Sequence, residues 1–175
     1  MKGLLIVDEH DRPIGSAPFL QAKQEGLRHR IVRVLVMNAA GEILLQQRGA
    51  DVFYAPNAWE TSAAGHVDAG EDYETAAKRE LCEEIGLANV ELTPIGKIYQ
   101  EGEGARGPRR QFIMLYAVFA EVAAVRPSPE VAGIRWIKPD QLAAWMAREP
   151  DSFTDGLKES FVLWCQFRNT STSGS

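Results

Sequence analysis

The chain has 175 residues, a formal net charge of −5, an apolar share of 45% and a charged share of 25%. That is the make-up of one compact globular domain rather than of a disordered, fibrous or membrane chain. No Lys/Arg-rich run could track a phosphate backbone, so nucleic acid is not an expected partner. No stretch reaches the roughly 20 apolar residues of a spanning helix, so no membrane partner is expected either. Cys82 and Cys165 lack CxxC spacing, which argues against a disulfide framework or a zinc knuckle. The apolar run at 4–7 is too short for a secretory core and is followed at once by Asp8 and Glu9, so the expected location is the cytoplasm.

In chain order, residues 4–7 and 14–17 flank a polar, proline-containing turn and read as a hairpin, an N-terminal flap within residues 1–27. Residues 31–37 and 43–47 are apolar or β-branched runs separated by Asn38-Ala39-Ala40-Gly41, the signal of two central strands. An irregular aromatic segment, 53–59, precedes a helical pattern over 73–85 that Gly86 stops. Residues 90–100 and 112–122 read as strands around a Gly/Arg loop, and 133–137 as a short strand ending before Pro139. Helices follow over 139–148 and from about 154 to 167, the second with Leu157, Phe161, Trp164 and Cys165 on one stripe. Residues 169–175 have nothing to bury and read as a disordered tail, leaving a single domain over 1–168. The irregular mixture of strands and helices predicts a mixed sheet packed between helices.

The informative segment runs from Gly65 to Leu87. At about 100° per residue with Tyr73 at zero, the apolar stripe occupies an arc from about 300° (Ala76) to about 120° (Ile85). On the same wheel Glu80 falls near 340°, Glu84 near 20° and Glu83 near 280°, whereas Thr75, Lys78 and Arg79 fall on the solvated side. Ionised carboxylates on a buried flank lose hydration and repel each other unless something positive compensates. A hard divalent cation is the natural compensator, and Mg²⁺ or Mn²⁺ keeps positions open for water and phosphate oxygens. Helix-end solvation explains an arbitrary acidic pair better than a metal does, but two of these acids point inward, and one arginine cannot offset three.

The stretch resembles the Nudix box, Gly-x5-Glu-x7-Arg-Glu-U-x-Glu-Glu-x-Gly-U with U a bulky apolar residue. Gly65, Glu71, Arg79, Glu80, Leu81, Glu83, Glu84, Gly86 and Leu87 fill every defined position. The resemblance implies an α/β/α sandwich and hydrolysis of a nucleoside diphosphate linked to another moiety. It also implies Mg²⁺ or Mn²⁺ held by Glu80, Glu83, Glu84 and the Gly65 carbonyl, with Glu71 and Arg79 bracing the glutamates. A small-molecule diphosphate is the implied partner, and a homodimer the implied assembly. For the proton acceptor, Glu80 is one candidate and Glu130, before the strand near 131–137, is another.

Outside the box, Leu27-Arg28-His29-Arg30, Leu44-Leu45-Gln46-Gln47-Arg48, Trp59 and Ala64-Gly65-His66 resemble the isopentenyl-diphosphate isomerases over roughly residues 5–140. That makes an isomerase the rival reading, and a non-catalytic module binding nucleotide diphosphates a third. The isomerase cysteine directly before the glycine is Ala64 here, and two of its metal-site glutamates align with Arg109 and Gln111. Hydrolysis is the better expectation, with His29 and His66 read as hydrogen-bonding residues. Substrate-binding candidates are Arg48, Arg106, Arg109 and Arg110 for phosphate, and Tyr54 or Trp59 for a base, although large aromatics are more often core. Gly102 to Gly107 matches GxGxxG, but a strand follows it, so it is not a dinucleotide turn.

Overall fold

The computed structural model describes residues 3–52, 54–104 and 107–172. Its centre is β3 (His29–Met37), which pairs in parallel with β8 (Gly107–Phe119) from His29↔Gln111 to Met37↔Phe119. Along its other edge β3 runs antiparallel to β6 (Ala63–His66), with Val32 opposite Gly65 and Ile31 opposite His66. β4 (Ile43–Arg48) meets β3 at Met37↔Ile43 and pairs with β5 (Trp59–Glu60) and β9 (Val131–Ile137). β7 (Thr93–Gly104) forms a long hairpin with β8, and β1 (Leu4–Val7) pairs with β2 (Pro13–Ala17) and touches β3 at Ile6↔His29. The sheet is mixed, as expected.

Period-two alternation along β3 and β4 sends side chains to two helical layers. Val32, Val34, Val36 and Leu44 pack with Ala76, Ala77, Leu81 and Ile85 of α2 (Tyr73–Ile85). Leu35, Ile43 and Leu45 pack with Leu142 of α3 (Pro139–Arg148) and with Leu157, Phe161 and Trp164 of α4 (Asp155–Thr172). This is the α/β/α sandwich. Helix α2 has the expected bounds for local reasons: the Asp72 carboxylate accepts from the Thr75 N–H at 2.8 Å, and Gly86 takes the left-handed conformation (φ 70°) that ends it. Among the described residues no helix is long and apolar enough to cross a membrane.

Three segments depart from the sequence reading. The expected flap is part of the sheet: Leu4 to Val7 are all buried, and the Leu5 and Val7 N–H groups donate to the carbonyls of Val67 and Arg28. A six-residue helix, α1 (Phe19–Gln24), lies within it. Asn169 to Thr172, expected in a disordered tail, continue α4, with the Thr170 and Ser171 hydroxyls donating back to the Phe167 carbonyl; residues 173–175 lie outside the described residues. The hairpin β7–β8 carries strand pairing to Gly104↔Gly107, further than the predicted loop allowed.

One polar network locks the N-terminal hairpin onto this frame. The Asp11 carboxylate, only 9% exposed, accepts from Arg30 Nε at 2.7 Å, Lys97 Nζ at 2.5 Å and the Tyr73 hydroxyl at 3.0 Å. It thereby joins the β1–β2 turn to β3, β7 and the first turn of α2. Removing one partner of a buried ion cluster leaves the others uncompensated. Asp11→Ala is therefore expected to lower unfolding free energy by about 3 kcal/mol in urea denaturation, and a loss below about 1 kcal/mol would contradict this account.

Candidate active site

The site forms where α2 crosses the gap between β6 and β4. Glu84 turns inward, and its Oε2 accepts from Gln46 Nε2 at 2.8 Å and from the Ala64 backbone N–H at 3.0 Å. One turn earlier, the Glu80 carboxylate lies against Gly65 so closely that no Cβ fits there. Burial pushes both carboxyls from 4.5 to about 7. Arg79 pulls Glu80 back down while Glu83 and Glu71 add to the rise. At Glu84 the Ala64 and Gln46 donors pull down, and the charges of Glu80 and Glu60 push up.

Arg79 braces the cluster. Its guanidinium donates to both oxygens of Glu71 (Nε 2.8 Å, Nη2 3.0 Å), to Glu80 Oε1 at 2.6 Å, to the His66 carbonyl at 2.9 Å and to Glu83 Oε2 at 3.3 Å. Glu71 in turn accepts from the Asp68 N–H at 3.1 Å, and its partnership holds Arg79 charged well above the ordinary range. The helical wheel placed Arg79 on the solvated side. Its long stem instead folds the charged head back over the glutamates, leaving the side chain 25% exposed.

Glu83, at the edge of the apolar stripe on the wheel, ends at the rim with its side chain 60% exposed. Among the described residues, no three His, Cys, Asp or Glu side chains already converge as a metal cage. What the residues do offer suits a hard cation: two desolvated carboxylates one turn apart, a rim carboxylate, and a strand glycine, Gly65, against Glu80. Such a cation takes oxygen donors and fills its other positions with water and phosphate oxygens, so the donor set fits Mg²⁺ or Mn²⁺.

The remaining sequence candidates scatter. Glu130 is exposed in the turn before β9. Arg48 donates to the Tyr54 carbonyl at 2.9 Å and lies over the Tyr54 ring. Trp59 packs edge-on against Trp145 at 5.6 Å in the α3/α4 layer, the core role that competed with base stacking. Arg110 pairs with Glu101 at 2.9 Å, Arg109 is half-buried on β8, and Arg106 lies outside the described residues. His29 Nδ1 donates to the Leu27 carbonyl at 2.7 Å, so its Nε2 lone pair accepts from Lys23 Nζ and Gln111 Nε2, each at 3.2 Å. An ammonium thus takes the nitrogen that a metal would need.

Two residues here escaped the sequence reading. Gln46 orients Glu84, and Glu60, 5% exposed and accepting from the Thr61 N–H at 2.8 Å, adds negative charge beside it. Glu60 stands on a two-residue strand, too short for any periodicity to mark it as buried. An acid flanked by Trp59 and a run of small residues was the one available hint.

The NUDIX domain description matches residues 27–157. The chain belongs to the Nudix family. Among its relatives it is 34% identical to an isopentenyl-diphosphate Delta-isomerase of Burkholderia multivorans over 86% of each chain. It is 33% identical to an uncharacterised Nudix hydrolase of Pseudomonas aeruginosa, over 83% of this chain and 86% of that one. Of solved structures, the DR0079 protein of Deinococcus radiodurans superposes with a TM-score of 0.68 at 24% identity, covering 83% of this chain and 88% of that one. The Nudix domain of Shewanella oneidensis NrtR, in complex with ADP ribose, gives 0.59 at 16% identity, covering 81% and 87%. The Nudix fold and box therefore coincide on α2 and β6, and the family supports a hydrolase of diphosphate-containing substrates.

The shifted acids set a pH signature. Glu80 and Glu84, raised from 4.5 to about 7, bind protons more tightly folded than unfolded, so their stabilisation is full below pH 4.5 and is lost as pH rises through about 7. His29 and His66, lowered from 6.5 to about 4 and about 3, act oppositely: their contribution is full above 6.5 and is lost as pH falls through those values. The two pairs offset one another between 4.5 and 6.5, and from 6.5 to about 8, where Lys23 begins to titrate, the glutamates act alone. Metal-free protein should melt at lower temperature at about pH 8 than at pH 6.5, with millimolar Mg²⁺ restoring it and Glu84→Gln flattening the profile. A flat wild-type profile would contradict the assignment. Gly65→Ala should displace Glu80 and weaken Mg²⁺ uptake by calorimetry, and unchanged uptake would count against the close approach.

Proposed function

We propose that the chain is a divalent-cation-dependent hydrolase of a diphosphate linkage in a nucleoside diphosphate derivative or a related small molecule. The observation that carries this reading is the pair of desolvated carboxylates in an intact Nudix box, Glu80 against the strand glycine Gly65 and Glu84 on the Ala64 N–H beside it. Glu80, Glu84 and the Gly65 carbonyl would hold Mg²⁺ or Mn²⁺, with Glu83 closing from the rim. When bound, the cation neutralises charge on the bridging phosphates and makes a water more acidic.

The chain's own residues do the rest. Ala64 N–H and Gln46 fix Glu84 in one orientation, and Arg79 fixes Glu80 while its own angle is set by Glu71. Glu80, its side chain 12% exposed within the cluster, is the residue we assign to accept a proton from the attacking water. Its position in the cluster favours it over the exposed Glu130. Arg109 and Arg110, on the hairpin, remain the phosphate-gripping candidates, and a homodimer in the cytoplasm completes the proposal.

The isomerase is the second reading, favoured by 34% identity to an enzyme of that name. Against it stand Ala64, which puts no thiol at the site; Cys82, exposed on the far side of α2; and the Lys23 and Gln111 contacts that occupy His29. A panel of nucleoside diphosphates, nucleotide sugars, ADP-ribose, dinucleoside polyphosphates, coenzyme A and isopentenyl diphosphate, assayed with Mg²⁺ and Mn²⁺, separates the two. Hydrolysis is expected, with Glu84→Gln and Glu80→Gln lowering kcat by roughly 10²- to 10⁴-fold and Glu71→Gln costing about 10- to 100-fold in metal affinity or activity. An isomerised product, or full turnover by Glu84→Gln, would overturn the proposal.

A further inference from the structure

One residue beyond Gly65 on β6, His66 enters a quite different environment from that of the glutamates. Its ring stacks on His29 at 5.3 Å and meets the edge of Phe19 from α1 at 5.3 Å. Its Nε2 is buried and has no hydrogen-bond partner. The groups acting on it are Lys23, His29 and Arg79, none of them acidic.

Lys23, half-buried on α1, donates to His29 and has no carboxylate partner among the described residues. Burial and the neighbouring charge of Arg109 push its ammonium down to about 8. A locus rich in donors and positive charge, with an orphaned imidazole nitrogen, is costly unless something negative enters it. A metal ion does not answer that need, because the lone pair of His29 is already taken by Lys23 and Gln111.

We infer that Lys23, His66 and Arg109 form a phosphate-binding subsite at the edge of the glutamate site, taking a terminal, unesterified phosphate of the substrate. This deepens the hydrolase reading and rests on it. A terminal phosphate carries up to two negative charges and three acceptor oxygens, and an ammonium retaining two free protons, a guanidinium and an imidazole nitrogen supply the matching charge and donors. A phosphate esterified on both sides carries one charge and fewer free oxygens, and matches this locus less well. The substrate class that follows is a diphosphate ending in a free phosphate, ahead of nucleotide sugars, ADP-ribose and dinucleoside polyphosphates.

The test is calorimetric titration of inorganic pyrophosphate into the full chain with EDTA present, so that no divalent cation contributes. Wild type should bind. Lys23→Gln and Arg109→Gln, each checked for an unchanged melting curve, should bind roughly 10- to 100-fold more weakly, the loss of one charge-assisted hydrogen bond. Glu84→Gln should keep metal-free pyrophosphate binding while losing Mg²⁺ uptake. In turnover, Lys23→Gln should raise KM for substrates with a free terminal phosphate more than for doubly esterified ones. Absence of binding by wild type, or equal binding by both folded variants, overturns the subsite and leaves the hydrolase reading standing. Loss of Mg²⁺ uptake by wild type, or silence across the substrate panel, would instead strike that reading.

Discussion

Two glutamates that the fold refuses to solvate are the constraint around which this structure is organised. Glu80 and Glu84 lie on the flank of α2 that also carries Ala76, Ala77, Leu81 and Ile85, so packing that helix onto β3 drags both carboxylates out of water. Desolvation raises both to about 7, and each also feels other acids nearby. Arg79 relieves Glu80 in part, and backbone and amide donors relieve Glu84. The surplus of negative potential that remains is what the proposed cation would relieve.

The sheet makes that arrangement rigid. Because β3 pairs along its length with β8 on one side and β6 on the other, Gly65 is fixed opposite Val32, the residue that packs beneath α2. Only a glycine leaves room there for the Glu80 carboxylate. Period-two alternation then turns the neighbouring His66 toward His29, α1 and Lys23. The Glu80 carboxylate thus meets β6 at Gly65, and the His29 and Lys23 group meets it one residue on, at His66.

Local signals read well from the sequence. The Asp72 cap and Gly86 stop delimit α2, Pro139 opens α3, and the inward angles of Glu80 and Glu84 are consequences of a 3.6-residue period. What depended on tertiary contact did not read. Angular position put Glu83 at the stripe's edge, where it ends at the rim, but it also put Arg79 among the solvated charges, whereas the long arginine side chain folds its guanidinium back across the glutamates. Helix α1 spans six residues without a side-chain cap, and β5 and β6 have two and four residues, too short for any period to show. The meeting of Lys23 with His29, and of Glu60 with Glu84, joins segments whose proximity no local pattern encodes.

Manganese supplies the most direct measurement, since its anomalous scattering locates the ion without reference to any assumed ligand. Crystals grown with Mn²⁺ should give an anomalous peak coordinated by Glu80 and Glu84 oxygens and the Gly65 carbonyl, at the face of β6 that meets α2. A peak at the His29 and His66 nitrogens instead, or no peak with both glutamates still buried, would contradict the account.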